Sequence, residues 1–259
     1  MTLNIAVVVK QIPDPSLVGA LDADFRFIRS GKIVLDDADL YGVEVALQLR
    51  DAAGGGEVCI VSMAPNGETA GVRTALAMGA DKAIVVSDDA LANSHALATA
   101  KVLSAAIENV GSVDLIITGT ESSDGYTGTI PAQIAALRKV SALTFATSVE
   151  LNGQTLTIKR QSNEGVDVVQ AVLPAVVSVT AGVVEPRYPN FKGIMAAKSK
   201  PCDIVSLSEI GIEVASLEIV SQRVTRVSAA PDRSTGVVIT DVDIAVDKIV
   251  EFLESLGAV

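Results

Sequence analysis

Four short apolar runs, each followed by a segment of helical character, constrain the fold of this chain most strongly. Residues 3–9 are LNIAVVV, and the same continuous type returns as EVCIVSM from residue 57, DKAIVVS from residue 81 and VDLIITG from residue 113. A strand that is apolar at every position has both faces covered, as in a parallel sheet between two layers of helices. The alternation therefore predicts an α/β protein with a doubly wound, mostly parallel sheet and right-handed crossovers.

The helical segments between these runs carry recognisable start and stop signals. DADLYGVEVALQLRDAAGGG begins with aspartates suited to a helix N-cap and ends at Gly54. A second helix is predicted in NGETAGVRTALAMGA, and a third in DALANSHALATAKVLSAAIENVG, which ends at Gly111.

The pattern changes after Leu143, where the chain is nearly all strand. LNGQT and SNEG are typical of two hairpin turns, and LPAVVSVT returns to the continuous apolar type, so we expect it to rejoin the central sheet. From residue 183, VVEPRYPNFKGIMAAKSKP has no clear periodicity, and a structureless segment of this length inside a compact domain is usually functional or docked on another surface. A final amphipathic helix is predicted in DIAVDKIVEFLESLG.

Charge and composition exclude several function classes. The chain has 259 residues, a formal net charge of −11 and 49% hydrophobic residues. The negative charge disfavours nucleic acids and anionic membrane surfaces, because their phosphates are repelled. No apolar stretch reaches the roughly 20 residues of a membrane span. The N-terminus lacks a basic segment before its apolar run, so we expect no signal peptide and a cytoplasmic location.

Ligands for metals and groups for catalysis are scarce. The chain has one histidine, His95, and two separated cysteines, Cys59 and Cys202. This set is too small for a zinc, haem or iron–sulfur site, and no GxSxG or cysteine motif accompanies the histidine. GxxxxGK[ST] is absent, as is GxGxxG after the first strand. We interpret His95 as a helix-surface or capping residue and the cysteines as free thiols, and we expect no catalytic residue.

The segment TGTESSDGYTGTIPAQIAAL, residues 118–137, carries the strongest functional signal. It follows an apolar strand, and doubly wound sheets bind ligands at the carboxyl ends of their strands. Gly119, Gly125 and Gly128 allow a ligand to approach the backbone closely. The helix that starts near Thr129 directs its first amide groups at the loop, which suits an anion. The pattern predicts a site for a nucleotide phosphate.

Four stretches together resemble the beta subunit of electron transfer flavoproteins, the FixA-like family. They are VVVKQIPDP, RTALAMGADKAIVV, DLIITGTESSDGYTGTIPAQIA and IKRQSNEGVDVVQAVLPAVVSVTAGVVEPRYPNFKGIMAAKSKP. The resemblance covers about residues 3–212. It departs from the usual pattern at Asn163, Glu164 and Asp167, and in LDDADLYGVEVAL, where the family usually has Asn-Pro at the start of the first helix.

The resemblance implies an adenine-nucleotide-binding, universal-stress-like fold and a larger alpha subunit that carries the redox FAD. In this family the beta subunit holds AMP as a structural nucleotide. An acyl-CoA dehydrogenase or similar flavin dehydrogenase delivers the electrons, and a quinone oxidoreductase or another acceptor receives them. Residues 1–182 would then form the nucleotide-binding domain, with a β-hairpin region. Residues 183–259 would form a partner-recognition loop and an extended C-terminal arm around the alpha subunit.

The family's binding positions map onto this chain as follows. The pocket would include Val8 and Lys10 after the first strand and Met63 after the strand VCIVSM. The start of the first helix would contribute Asp36, Asp37, Ala38 and Asp39. The phosphate loop would comprise Gly119, Thr120, Glu121, Ser122, Ser123, Asp124, Gly125, Tyr126, Thr127, Gly128 and Thr129. We expect the three aspartates to face the ribose, the adenine or solvent; a charge cluster favoured by the helix dipole explains them equally well.

The resemblance also places a dehydrogenase-docking loop within PNFKGIMAAKSKP. The apolar residues there are Phe191, Ile194 and Met195, and the basic ones are Lys192, Lys198 and Lys200. Large apolar side chains this closely spaced need a cover, so we expect Phe191 or Met195 to insert into the partner while the lysines steer its approach.

Two alternatives remain open. A second FAD in place of AMP would make the protein part of an electron-bifurcating flavoprotein. A stand-alone nucleotide-binding sensor would share the fold, although it would need neither a basic docking loop nor a long tail.

Overall fold

The computed structural model describes residues 2–64, 66–217, 224–228 and 236–258. The chain divides into two compact units, Met1–Val224 and Thr225–Val259. Among the described residues, no helix combines the length and the apolar character that crossing a bilayer requires.

The described part of the chain contains eleven β-strands. They are β1 (Ile5–Val8), β2 (Gln11–Pro13), β3 (Ile33–Leu35), β4 (Val58–Met63), β5 (Lys82–Val86), β6 (Leu115–Gly119), β7 (Ser141–Asn152), β8 (Thr155–Ser162), β9 (Gly165–Val172), β10 (Ala175–Val179) and β11 (Cys202–Val205). The α-helices are α1 (Asp37–Ala52), α2 (Ala70–Met78), α3 (Ala96–Val110), α4 (Ile130–Arg138), α5 (Phe191–Ala197) and α6 (Val242–Ser255).

Nine strands form one sheet in the order β11-β5-β4-β1-β6-β10-β7-β8-β9, and β2 pairs with β3. Neighbours from β11 to β7 are parallel, whereas β7, β8 and β9 are antiparallel. The predicted doubly wound sheet and both hairpins are confirmed. LPAVVSVT rejoins the centre of the sheet as β10, between β6 and β7.

Two hydrophobic cores cover the two faces of the sheet. On one face, α1 and α2 pack against strand residues such as Val7 and Ile60. On the other face, α3 and α4 pack against the adjacent residues of the same strands, such as Val8 and Val61. This arrangement explains why β1 is buried at all four of its positions, as its continuous apolar sequence predicts.

The segment that follows β10 is not structureless, so that expectation was wrong. It contains α5, and β11 pairs in parallel with β5 at the edge of the sheet. Arg187 donates hydrogen bonds from its backbone N and from Nε to Glu44 Oε2 at 3.1 and 2.7 Å, and this ties the segment to α1. These elements are too short to show periodicity in the sequence. They form by packing against the other elements of the first unit.

The boundary between the two compact units, after Val224, lies beyond residue 182, where the sequence predicted a domain boundary. The wrapping of residues 183–259 around another subunit stays a prediction, and it falls partly on residues outside the described ranges. The predicted terminal helix is present as α6 in the second unit, with Asp241 as its N-cap. Its exposed apolar side chains include Val246, Ile249 and Phe252.

Candidate functional site

The point where the winding of the sheet reverses lies between β1 and β6. β1 pairs with β4 on one side and with β6 on the other, and Val8 is in register with Thr118. From β1 the chain proceeds outward to β4 and β5, whereas β6 begins the opposite half. Lys10 and the loop at 120–129 follow the carboxyl ends of these two strands, which is where open α/β sheets bind ligands.

Two of the three aspartates at the start of α1 are directed inward. Asp36 is the N-cap of α1, and its Oδ2 accepts hydrogen bonds from Ser123 N at 2.7 Å and Ser123 Oγ at 3.1 Å. Asp39 Oδ2 accepts from Lys10 N at 2.6 Å. They are 1% and 7% exposed respectively, so the expectation that the cluster faces a ligand or solvent is wrong for both. Asp37 is exposed and Ala38 is half-buried.

Burial dominates the electrostatics of Asp39. Desolvation raises the pKa of its carboxyl to about 8, and the nearby charge of Asp36 acts in the same direction. Hydrogen bonds from the backbone of Lys10 and Gly119 oppose this rise in pKa without cancelling it. Asp39 therefore joins the ends of β1 and β6 as a carboxyl that is largely protonated at neutral pH.

Asp124 pairs with two cations from different parts of the chain. Its Oδ1 lies 2.6 Å from Lys10 Nζ, and its Oδ2 lies 2.5 Å from Arg29 Nη2. Burial raises the pKa of Asp124, but the hydrogen bond from Lys10 and the charges of Lys10 and Arg29 outweigh it and hold the pKa below its usual value. The charge of Asp124 is thus balanced by Lys10 and Arg29, whereas Glu121 in the same loop is exposed.

Sequence reasoning missed Arg29. It lies in the excursion between β2 and β3, residues 14–32, and it also stacks over the ring of Phe27, 5.8 Å from the ring centroid. No motif surrounds Arg29 in the sequence. Only the folded arrangement brings this excursion against the loop after β6.

Two glycines of the loop leave little room for substitution. A Cβ at Gly119 would lie 2.9 Å from Asp39 Oδ1, so a larger residue would have to displace that carboxyl. Gly128 has φ +62°, a left-handed conformation that glycine adopts without strain. Tyr126 also has a positive φ, of 49°, and its side chain is 69% exposed. The loop therefore follows a tight path with its backbone accessible.

The loop leads into α4 as predicted, with Thr129 as N-cap. No described side chain caps this helix N-terminus, and Pro131 lies in its first turn. Uncapped first-turn amides attract anions. Thr127 and Thr129 are exposed just before this turn, and Ser123 is exposed earlier in the loop, where its Oγ donates to Asp36. A cation at Lys10, accessible backbone and exposed hydroxyls fit a nucleotide phosphate.

Most of the other predicted pocket residues have side chains that are buried or hydrogen-bonded within the protein. Val8 is 7% exposed and its side chain belongs to the core beneath α3 and α4. Met63 ends β4 at the same edge of the sheet and packs partly against that core. The other loop residues include Thr120, whose Oγ1 donates to Val179 O at 3.0 Å, Ser122, whose Oγ accepts from Lys10 Nζ at 3.2 Å, and the exposed Glu121 and Gly125.

His95 and the cysteine thiols are further groups with catalytic potential. His95 is the N-cap of α3, as one of the two sequence interpretations predicted. Burial raises the pKa of Cys59 to about 12, which keeps its thiol protonated. Within the described ranges, no cluster of histidine, cysteine and carboxylate side chains could hold a metal. An open cleft of about 880 Å³ between α1 and the β7–β9 hairpins lies elsewhere, and Gln48, Asn152 and Gln170 are among its lining residues.

The expected docking residues lie on α5. Phe191 is 80% exposed, and Ile194 and Met195 are about half exposed. Lys192 and Lys198 are also exposed. Lys200 differs, because its Nζ donates to Leu76 O at 2.9 Å and to Ala80 O at 2.6 Å. Its ammonium is engaged inside the molecule, so the expectation that it steers a partner was wrong.

Comparison with known proteins decides the family. The model of the electron transfer flavoprotein domain matches residues 24–210. The chain is 38% identical to electron transfer flavoprotein subunit beta of Mycobacterium leprae, over 96% of this chain and 97% of that protein. The chain belongs to the electron transfer flavoprotein beta subunit family. Proteins of this family take part in electron transfer.

Other members are more distant. The chain is 31% identical to the caffeyl-CoA reductase-Etf complex subunit CarD of Acetobacterium woodii, over 92% of both chains. It is 29% identical to electron transfer flavoprotein subunit beta of Megasphaera elsdenii, over 92% of this chain and 91% of that protein.

Proposed function

We propose that this protein is the beta subunit of a heterodimeric electron transfer flavoprotein and that it holds AMP at the loop between β6 and α4. The alpha subunit carries the redox FAD, and the beta subunit helps to shape the cleft around it. The protein thus supports electron transfer without performing catalysis itself. It works in the cytoplasm.

The charge balance at the loop carries the AMP assignment. The chain has a net charge of −11, yet three of the acidic groups nearest the loop are buried or paired, and Glu121 is the exposed acidic residue within the loop. Asp36 and Asp39 are turned inward, and Asp124 is paired with Lys10 and Arg29. The phosphate would contact loop amides within residues 119–128 other than those of Gly119 and Ser123, which donate to Asp39 and Asp36. It would also contact the first turn of α4, where the helix dipole favours an anion.

Co-expression with the alpha-type reading frame from the same genome tests this proposal. Size-exclusion chromatography with light scattering should give one alpha and one beta chain, and acid extraction should release one AMP and one FAD per pair. A stable, nucleotide-loaded beta monomer that ignores the alpha chain would count against the heterodimer. A pair without AMP would count against the nucleotide assignment.

A second FAD in place of AMP is the other candidate. It is favoured by the 31% identity to a subunit of a caffeyl-CoA reductase-Etf complex, since that protein is named as part of a reductase assembly. The same extraction separates the candidates, because two flavins and no AMP per pair would establish the bifurcating type. Family membership removes the stand-alone sensor from consideration.

We further propose that α5 docks the electron-donating dehydrogenase, an acyl-CoA dehydrogenase or a similar flavoenzyme, and that a quinone oxidoreductase or another acceptor receives the electrons. Phe191 or Met195 would enter a pocket of the dehydrogenase, and Lys192 and Lys198 would lie at the rim. Buried apolar side chains at an interface centre contribute most of the affinity, whereas rim charges mainly change the association rate.

A further inference from the structure

The docking helix α5 and helix α2 hold each other at their C-terminal ends. Arg73, on α2, donates from Nη1 to Ala197 O at 2.7 Å and to Lys200 O at 3.0 Å, at the end of α5 and just beyond it. In the opposite direction, Lys200 Nζ donates to Leu76 O at 2.9 Å and to Ala80 O at 2.6 Å, at the end of α2. Arg73 of α2 thus binds carbonyl groups at the end of α5, and Lys200, which follows α5, binds carbonyl groups at the end of α2.

This pairing satisfies groups that would otherwise lack partners. The last carbonyl groups of a helix receive no hydrogen bond from an N–H of the same helix. They also carry the negative end of the helix dipole, so basic side chains stabilise them. Burial lowers the pKa of Lys200, although the charge of Asp81 partly opposes this. A lysine is rarely removed from water without such a structural task.

The backbone of α5 also lies unusually close to α2. A Cβ at Gly193 would lie 2.3 Å from Ala77 O, so no other residue fits there without displacing the helix. Asn190 Oδ1 accepts from Gly193 N at 2.8 Å and caps the start of α5. Ala197 is 3% exposed at the other end of the contact. A helix of seven residues does not hold its shape in isolation, so these contacts with α2 determine its orientation.

We propose that Arg73 and Lys200 are positioning residues, which fix α5 so that Phe191, Ile194 and Met195 face the dehydrogenase in one preformed arrangement. This inference rests on the proposed docking role of α5. Without the two cations, α5 would have to order during docking, and the ordering would lower affinity. The rate at saturation should not change, because both residues bond to backbone carbonyls at the α2–α5 contact and neither belongs to the loop proposed to hold AMP.

The test uses the co-purified heterodimer with Arg73→Met, Lys200→Met and Gly193→Ala, and the charge-conserving Arg73→Lys and Lys200→Arg. Lys159→Met, which removes an exposed charge from β8, is the matched control. Hydrogen exchange of the peptide covering residues 190–201 reports the order of α5. An assay coupled to an acyl-CoA dehydrogenase of the same organism gives KM and kcat for the flavoprotein.

We expect Arg73→Met, Lys200→Met and Gly193→Ala to accelerate this exchange and to raise KM about five- to tenfold with kcat unchanged. FAD and AMP content should be normal. Lys200→Arg should restore most of the exchange protection and KM, and Lys159→Met should change neither.

Unchanged exchange in Lys200→Met would overturn the inference, whatever the kinetics. Faster exchange with an unchanged KM would also overturn it, provided that Phe191→Ala raises KM. If Phe191→Ala leaves KM unchanged as well, the docking role of α5 fails instead, and the positioning role fails with it.

Discussion

Lys10 and Asp124 join the two strands that meet where the sheet winding reverses. The Lys10 ammonium, which follows β1, lies 2.6 Å from Asp124 Oδ1 in the loop that follows β6. The side chain of Asp124 is only 7% exposed, whereas that of Lys10 is 39% exposed. The ion pair therefore holds the loop at the edge of the sheet, and the exposed part of the Lys10 side chain is available to an anion.

Lys10→Met should lower the AMP content of the heterodimer and destabilise the protein. Asp124 would be left buried with Arg29 alone. Complete loss of the partner of a buried charge costs about 3–5 kcal/mol, and we expect about 1–2 kcal/mol here because Arg29 remains and Lys10 is partly exposed. Nucleotide extraction and urea unfolding measure both effects, with Lys159→Met as control. Normal AMP content would remove Lys10 from the site.

Gly128→Val should abolish AMP retention and weaken heterodimer assembly. The left-handed backbone at φ +62° disfavours a β-branched residue, and the new side chain would lie 3.3 Å from Glu121 Oε2. Gly153→Val is the matched control, because Gly153 has φ +59° in the turn between β7 and β8 with open space around it. Both variants should lose stability, but only Gly128→Val should lose the nucleotide. Full occupancy in Gly128→Val would contradict the assignment.

Phe191→Ala should raise the KM of the flavoprotein in the dehydrogenase-coupled assay. Truncation of an apolar residue at an interface centre typically costs about 2 kcal/mol, which corresponds to about 30-fold in affinity. Flavin content and the heterodimer should be intact, because Phe191 is 80% exposed. Leu97→Ala, at an exposed position on α3, is the control. Unchanged kinetics in both Phe191→Ala and Met195→Ala would show that α5 is not the docking site.

Asp39 should make the protein less stable as pH rises from about 4 to about 8. Folding raises the pKa of Asp39 from 3.8 to about 8. Between these values the folded state keeps a proton that the unfolded state has lost, so unfolding becomes easier with increasing pH. One such group contributes a slope of at most about 1.4 kcal/mol per pH unit.

Asp39→Asn, which does not titrate, should remove that part of the slope. Urea unfolding of the wild type and the variant at pH 5, 6.5 and 8 measures the difference, and the other carboxyl groups cancel in the comparison. If plots of the free energy of unfolding against pH are parallel for the two proteins, Asp39 is ionised in the folded state. Gln11→Ala is a useful companion, because Gln11 caps the start of α2 rather than titrating.

The sequence by itself determined the sheet, the hairpins and the location of the small-residue loop at 119–129. Continuous apolar runs such as residues 3–9 can only be buried on both faces, and this requirement fixes a parallel sheet between helices. The small-residue loop after the strand at 115–119 then lies at the carboxyl edge by topology alone. Family motifs added the expected cofactors and partners, which local patterns do not specify.

Only the tertiary structure decided where the charged groups point. Asp36, Asp37 and Asp39 look equivalent in the sequence, yet two are buried against backbone amides and one is exposed. Lys200 resembles its neighbour Lys198, but its ammonium binds the end of α2. Arg29 pairs with Asp124, 95 positions further along the chain. The direction of a charge depends on which carbonyls, amides and ions of distant segments surround it, and these are assembled only when the chain folds.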